Sequence, residues 1–239
     1  MLFSILSGGD ARTIILNLLL LIPVILLSLS IHEAAHGYVA YKMGDHTAYN
    51  LGRVTINPAK HLDPMGCLCM LVFEYGWAKP VPINARNFKN PKRGMAFTAI
   101  AGPISNFLLA LVTTVLFAVC NFAESYLFYT GVLTNDFVIR ILDVLCLLLY
   151  LFGYMNFLLA AFNMIPVPPF DGSRFLSLFL PDKTYFKLMK YERYIMFGIL
   201  ILMIVCSRLF NFSPFAWVAE KLFGLIYEGI TNLLILIFA

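Results

Sequence analysis

Three long stretches without a charged side chain constrain the fold of this 239-residue chain more than any other feature. They cover residues 13–31, 95–123 and 144–170. A helix needs about 20 apolar residues to cross the hydrocarbon core of a bilayer, and each stretch meets or nearly meets that length. Charged residues make up only 13% of the chain, whereas a soluble domain carries about 25%. The sequence therefore predicts a membrane protein.

The stretches and the residues that interrupt them predict an all-α polytopic membrane protein with about four to six transmembrane helices. We expect a single domain, residues 1–239, whose core helices cover about 12–43, 94–121 and 140–164. C-terminal helices are expected over about 192–239. A fourth span is predicted near 192–210, where flanking arginines can reach the interfaces. Residues 215–239 are compatible with either a fifth span or an interfacial helix.

Residues 45–93, between the first two core helices, are expected to contain a short membrane-associated β-strand and a re-entrant segment. Side-chain polarity alternates along residues 52–57, which is typical of a strand. Residues 65–73 are apolar but too short to span the bilayer.

The distribution of basic residues predicts the topology. Residues 42–93 contain eight Lys or Arg and residues 171–193 contain five, whereas residues 124–143 contain only Arg140. Because basic loops stay in the cytoplasm, the first and third connections are expected inside and the N-terminus outside. This topology requires residues 65–73 to enter the membrane and return. It also accounts for the net charge of +4, so we expect no nucleic-acid partner.

The motif His32-Glu33-Ala34-Ala35-His36 lies towards the cytoplasmic end of the first predicted span. Histidines four residues apart project from one face of a helix, so both imidazoles can bind one zinc ion. Glu33 can then act as the general base on a metal-bound water. Ionisable residues inside a transmembrane helix are energetically costly, which favours a functional site over a chance match. The motif predicts one Zn²⁺ per chain.

A zinc site with two histidines needs a third protein ligand. Asp171 is a candidate, because the third core helix runs inward and residues 166–169, Pro-Val-Pro-Pro, end it just before Asp171. His46 and His61 are further candidates, although both lie in the basic connection, where surface histidines are common.

Three motifs in this order resemble the site-2 protease family of intramembrane zinc metalloproteases. They are residues 32–36 in the first helix, Gly-Pro-Ile-Ser-Asn at 102–106, and Asn-Met-Ile-Pro-Val-Pro-Pro-Phe-Asp-Gly at 163–172. The stretches 52–58, 61–64 and 76–82 are similar to the small bacterial branch of the family without PDZ or CBS domains.

The resemblance implies that His32, His36 and Asp171 bind zinc and that Glu33 is the general base. It implies a place for Asn163 near the active site, where the amide can donate to a substrate carbonyl or developing oxyanion. The alternative is that Asn163 satisfies backbone groups at the helix end. For Asn106, both a similar polar contact and a packing role are compatible with the motif.

The predicted strand is expected to offer an edge on which an unwound substrate helix can pair. The residues of this edge are Arg53, Val54, Thr55, Ile56 and Asn57.

The predicted function is therefore regulated intramembrane proteolysis of a transmembrane protein or peptide, in the cell membrane, with the active site toward the cytoplasm. A membrane metal transporter is one alternative, but residues 124–143 offer few ligands for a path to the outer face. A non-proteolytic protein that binds membrane clients is another, although zinc binding alone does not require Glu33. CAAX-type membrane proteases share the first motif but use a downstream Glu. A homo-oligomer is compatible with the sequence.

Overall fold

The structure is a computed structural model, and it describes residues 11–63, 65–66, 78–210 and 212–238. These residues include eight α-helices of four or more residues and two short 3-10 helices, Pro58–Lys60 and Ala85–Asn87. The α-helices are α1 (Ala11–Lys42), α2 (Thr47–Asn50), α3 (Pro91–Tyr129), α4 (Asp136–Asn163), α5 (Asp171–Leu176), α6 (Asp182–Lys190), α7 (Glu192–Leu209) and α8 (Pro214–Phe238).

Four of these helices are long and apolar enough to cross a membrane: Leu18–Lys42 of α1, and the whole of α3, α4 and α8. The three predicted core helices are present, and the chain is a multi-pass membrane protein. A helix also forms near 192–210, but α7 has only 18 residues and three of them, Glu192, Arg193 and Arg208, are charged. The fourth candidate span is therefore α8 rather than α7.

The predicted β-strand at residues 52–57 is wrong, because this segment consists of turns and bends. Gly52 has a φ of 62° and Arg53 N donates to Ala48 O (2.9 Å), which closes the turn after α2. The Thr55 hydroxyl accepts from Asn57 N (3.2 Å), and the Asn57 side chain caps the following 3-10 helix. Such local side-chain bonds compete with strand pairing. Of the predicted re-entrant segment, all but residues 65–66 lie outside the described part of the chain.

The long helix α3 packs against α1, α4 and α8. One core cluster joins α3, α4 and α8 through Ala110, Tyr154, Phe157, Ala219 and Phe223. Small residues permit this close packing, because a Cβ at Gly153 would lie 2.6 Å from Thr114 Oγ1 and 2.9 Å from the Phe223 ring.

Aromatic contacts define the direction of α8. Phe215, near its start, packs edge-to-face on Phe162 at the end of α4, with ring centroids 5.5 Å apart. Phe238, at its end, packs on Phe122 in the last third of α3 at 5.9 Å. Helix α8 is therefore antiparallel to α4 and parallel to α3. His36, in the last turns of α1, bonds to Thr98 near the start of α3. The ends of α1 and α4 and the beginnings of α3 and α8 therefore lie on the same side of the bundle.

Buried Asp45 ties the end of α1 to the segment that precedes α3. Its carboxylate accepts from Thr47 N (3.1 Å), Asn84 N (2.6 Å) and Asn87 Nδ2 (2.7 Å), and from the Thr47 hydroxyl. Burial acts to raise the pKa of Asp45, but these bonds outweigh it and hold the pKa below its usual value. The ionised carboxylate thereby anchors the residues that follow Pro82 next to α1.

Candidate metal centre

Helix α1 and the first residue of α5 bring three potential metal ligands together. The Nε2 atoms of His32 and His36 lie 3.0 Å apart, and Asp171 Oδ2 lies 3.1 Å and 3.2 Å from them, respectively. Both histidines are buried and Asp171 is half-buried. In the described part of the chain, no other group of three or more His, Cys, Asp or Glu side chains is placed to hold a metal ion.

The protonation of the imidazoles fits a metal ion at this position. Thr98 O, 2.7 Å from His36 Nδ1, is a carbonyl that can only accept, so Nδ1 carries a hydrogen and, in the neutral imidazole, Nε2 has a lone pair. His32 Nδ1 bonds in the same way to Asn106 Oδ1. Two lone pairs and a carboxylate that face each other repel, and a cation between them removes this repulsion.

The spacing of the three atoms also fits zinc. Ligand atoms about 2.0–2.1 Å from a tetrahedral zinc ion lie about 3.3 Å from each other. The observed distances of 3.0–3.2 Å are close to this value. Two imidazoles and one carboxylate are a donor set that zinc accepts, and they leave a fourth position for water or substrate.

Two glycines allow the site to form. A Cβ at Gly102 of α3 would lie 2.5 Å from His36 Cε1 and 2.6 Å from His32 Cε1, so α3 can pass the imidazoles only without a side chain there. A Cβ at Gly172 would lie 2.6 Å from the carbonyl carbon of Met164. The first turn of α5 can therefore fold against the end of α4, which carries Asp171 to the histidines.

The carboxylate of Glu33 is held by the segment after the undescribed residues 67–77. Its Oε2 accepts from Val81 N at 2.8 Å. Val81 stands between Pro80 and Pro82, and because proline has no backbone N–H, it supplies the only donor of this run. Arg53 Nη2 donates to Lys79 O (2.8 Å) and Pro80 O (3.3 Å), which ties the run to the segment after α2.

The other residues predicted for the site take different positions. Asn163 Nδ2 donates to Leu159 O (3.0 Å), one turn earlier in its own helix, and no hydrogen bond joins it to the three candidate ligands among the described residues. His46 packs on Tyr41 with ring centroids 4.7 Å apart. His61 Nε2 donates to Thr55 O (2.8 Å). Neither histidine belongs to the ligand group.

Residues 54–56, which belong to the predicted substrate edge, border an open apolar groove beside α1. The groove has a volume of about 550 Å³. It is lined by Ile31, Ala34, Ala35 and Tyr38 of α1 and by Val54, Thr55 and Ile56.

Asn156 of α4 is part of the site but is missing from the sequence-based candidates. It is completely buried, and its Oδ1 accepts from Asn106 Nδ2 at 2.6 Å. Its signal in the sequence is a carboxamide in the middle of an uncharged transmembrane run, where an unpaired polar group is costly.

Comparison with known proteins identifies the family. Residues 20–206 match the model of Peptidase family M50, the site-2 protease family. The chain belongs to this family. This confirms the resemblance carried by the three motifs, which all lie within the matched residues. No solved structure matches the chain significantly.

Three curated relatives carry the same description. The chain is 39% identical over 177 residues to "Putative zinc metalloprotease YwhC" of Bacillus subtilis, which covers 73% of this chain and 75% of the relative. It is 24% identical over 163 residues to "Putative zinc metalloprotease Rip2" of Mycolicibacterium smegmatis, which covers 66% and 56%. A protein of the same description from Methanocaldococcus jannaschii is 28% identical over 151 residues, which covers 61% and 63%.

Proposed function

We propose that this chain is an intramembrane zinc metalloprotease that hydrolyses peptide bonds in transmembrane proteins or peptides. The observation that carries the proposal is the convergence of His32, His36 and Asp171 in a helical bundle with four candidate membrane spans. Membership of a peptidase family and the names of three relatives support the reaction type and the metal.

In this proposal the two histidine Nε2 atoms and the Asp171 carboxylate hold one zinc ion. Zinc at such a site lowers the pKa of a coordinated water and polarises the scissile carbonyl. Glu33 accepts the proton from the attacking water and later passes it to the leaving amine. The hydrogen bond from Val81 N orients the carboxylate for both transfers.

We place the active site toward the cytoplasm and the start of α1 outside. His32 lies ten residues before Lys42, the last residue of α1, so it is about 15 Å from the helix end and below the membrane surface. Residues 42–93, around the connection after α1, contain eight basic residues, and residues 171–193, after α4, contain five, which favours a cytoplasmic position for both. The parallel course of α3 and α8 agrees with this topology.

The groove beside the motif helix is the proposed contact surface for the substrate. Its walls are mostly apolar, which suits the side chains of an unwound transmembrane segment. Ala34 and Ala35 of the motif line the groove, but they lie on a different face of α1 from His32 and His36. A substrate segment seated there would have to pass around α1 to reach the candidate metal centre.

Metal analysis and chelation test the proposal. Protein purified in detergent is expected to contain about one zinc ion per chain, because one ligand group is complete in the described residues. A chelator is expected to abolish cleavage of a model transmembrane substrate, and added zinc to restore it. Zinc-free protein that still cleaves would contradict the proposal.

Replacing Val81 by proline is expected to slow cleavage by about 10-fold or more without loss of zinc. The change removes the N–H that holds Glu33, and a hydrogen bond to a charged group contributes about 1.5–3 kcal/mol. The following residue, Pro82, already favours an extended backbone at position 81, which suits a proline there. Cleavage rate and zinc content are measured in parallel.

Val81→Ala is the matched control, since it shortens the side chain but keeps the N–H. Equal activity of the proline and alanine variants would show that the N–H does not orient Glu33.

A further inference from the structure

We infer that Asn156 is a positioning residue for His32 and acts on it through Asn106. The inference rests on the proposed function in one respect, that His32 Nε2 binds zinc. It is based on a continuous hydrogen-bonded path across three helices. Asn156 Oδ1 accepts from Asn106 Nδ2 at 2.6 Å, and Asn106 Oδ1 accepts from His32 Nδ1.

The orientation of the Asn156 amide is determined by its own helix. Its Nδ2 lies 2.9 Å from Phe152 O, one turn earlier, and 2.8 Å from Ser28 Oγ of α1. A backbone carbonyl can only accept, so the atom facing it is the nitrogen. The Oδ1 of Asn156 must then face Asn106.

The orientation of the Asn156 amide determines that of the Asn106 amide. The atom of Asn106 that faces Asn156 Oδ1 has to be a donor, which is Nδ2, and the same atom lies 3.3 Å from Ser28 O. The Oδ1 of Asn106 therefore faces His32 Nδ1, and Nδ1 must carry the hydrogen. In the neutral imidazole, His32 Nε2 is then left with a lone pair directed at the other two candidate ligands.

The two histidines differ in how their tautomers are held. His36 donates to a backbone carbonyl in α3, which cannot reverse its polarity. His32 instead depends on a side-chain amide, which can rotate by half a turn and present its N–H groups. Such a rotation would favour hydrogen on Nε2 and so remove the lone pair needed for zinc. Asn156 opposes it, because its Oδ1 would then face a second acceptor.

Burial makes the hydrogen bond between Asn156 and Asn106 important for the orientation of His32. Asn106 and Asn156 are 0% exposed, and His32 is 5% exposed. Bulk water therefore cannot replace a lost partner, and a buried polar group without a partner is costly. The partners that orient a ligating histidine typically change metal affinity by about 10–100-fold when they are removed.

Asn156→Leu tests the inference, with zinc affinity and the His32 tautomer as readouts. We expect zinc affinity to fall by about 10–100-fold in competition with a chelator. In zinc-free protein labelled with ¹⁵N-histidine, we expect the His32 ring nitrogens to change from a Nδ1–H pattern to a mixture. Asn156→Asp keeps an acceptor oxygen facing Asn106 and is expected to retain the wild-type pattern.

Thr114→Val is the matched control for a buried polar residue between α3 and α4. Its hydroxyl is fully buried and has no hydrogen-bond partner among the residues that the structure describes, so zinc affinity and the His32 pattern should not change. In an Asn106→Leu background, adding Asn156→Leu should cause little further loss of zinc affinity, because the path is already broken. If Asn156→Leu does not fold, Asn156→Ser, whose shorter side chain withdraws the acceptor, replaces it.

The outcomes separate the two proposals. Wild-type protein that binds no zinc would contradict the proposed function, while the tautomer measurement would still test the inference. Zinc-binding wild-type protein combined with an unchanged affinity and tautomer in the Asn156 variant would overturn the inference alone.

Discussion

Glu33→Gln is expected to reduce cleavage of a transmembrane substrate by at least about 100-fold and to leave the zinc content unchanged. Glutamine has nearly the shape of glutamate and can still accept the hydrogen bond from Val81 N, so the loop keeps its place. The glutamine side chain cannot take up a proton from water. Zinc content should not change, because residue 33 is not one of the three candidate ligands. The measurement combines cleavage in detergent or liposomes with metal analysis of the same preparation.

An isosteric control is available on α8, where Glu228 is exposed. Glu228→Gln changes the net charge by the same amount and should cleave at the wild-type rate. Cleavage by the Glu33 variant at more than about a tenth of that rate would remove Glu33 from its role as general base.

Asp171→Ala is expected to lower zinc affinity by more than about 100-fold and to abolish cleavage. Loss of a residue that only orients a metal ligand already lowers affinity by up to about 100-fold, and Asp171 is proposed to be a ligand itself. Asp171 Oδ2 lies within 3.2 Å of both histidine Nε2 atoms and supplies the only negative charge of the ligand group. Its removal leaves two neutral imidazoles, too few ligands for a stable zinc site. The zinc remaining after passage over a chelating resin measures the effect.

Asp136→Ala serves as the control. Asp136 is exposed in the first turn of α4, whereas the candidate metal centre lies beyond the last turn of that helix. It should retain zinc like the wild type. Full zinc retention by the Asp171 variant would show that another residue completes the site, and Glu33 would be the next ligand to test.

The core helices could be predicted because the bilayer constrains them directly. A spanning helix must satisfy its backbone groups internally and present apolar side chains, so length and the absence of charge define it. Length and charge do not decide the case of α7 as clearly. Its central residues are apolar, which led to the prediction of a span, but the helix has only 18 residues and three of them are charged. Helix α8 carries Glu220, Lys221 and Glu228, yet it is longer and its apolar window is sufficient.

The strand at residues 52–57 was predicted wrongly because alternation of polarity describes side chains, whereas a strand also requires a pairing partner. In this segment the Thr55 hydroxyl and the Asn57 side chain bond to nearby backbone instead. No local pattern reveals whether a partner strand exists elsewhere in the chain.

The sequence alone predicted the two histidine ligands: the helical spacing places His32 and His36 on one face, and ionisable residues inside a membrane span are costly unless they have a function. The sequence offered Asp171, His46 and His61 as a third ligand, and the tertiary structure decided which of them meets the histidines and which amides lie behind His32. Asp171 reaches the histidines because Gly172 lets α5 fold against α4, and Asn106 and Asn156 meet because α3 and α4 pack closely. The physical reason is that periodicity governs contacts within a helix, whereas contacts between helices depend on how their surfaces pack.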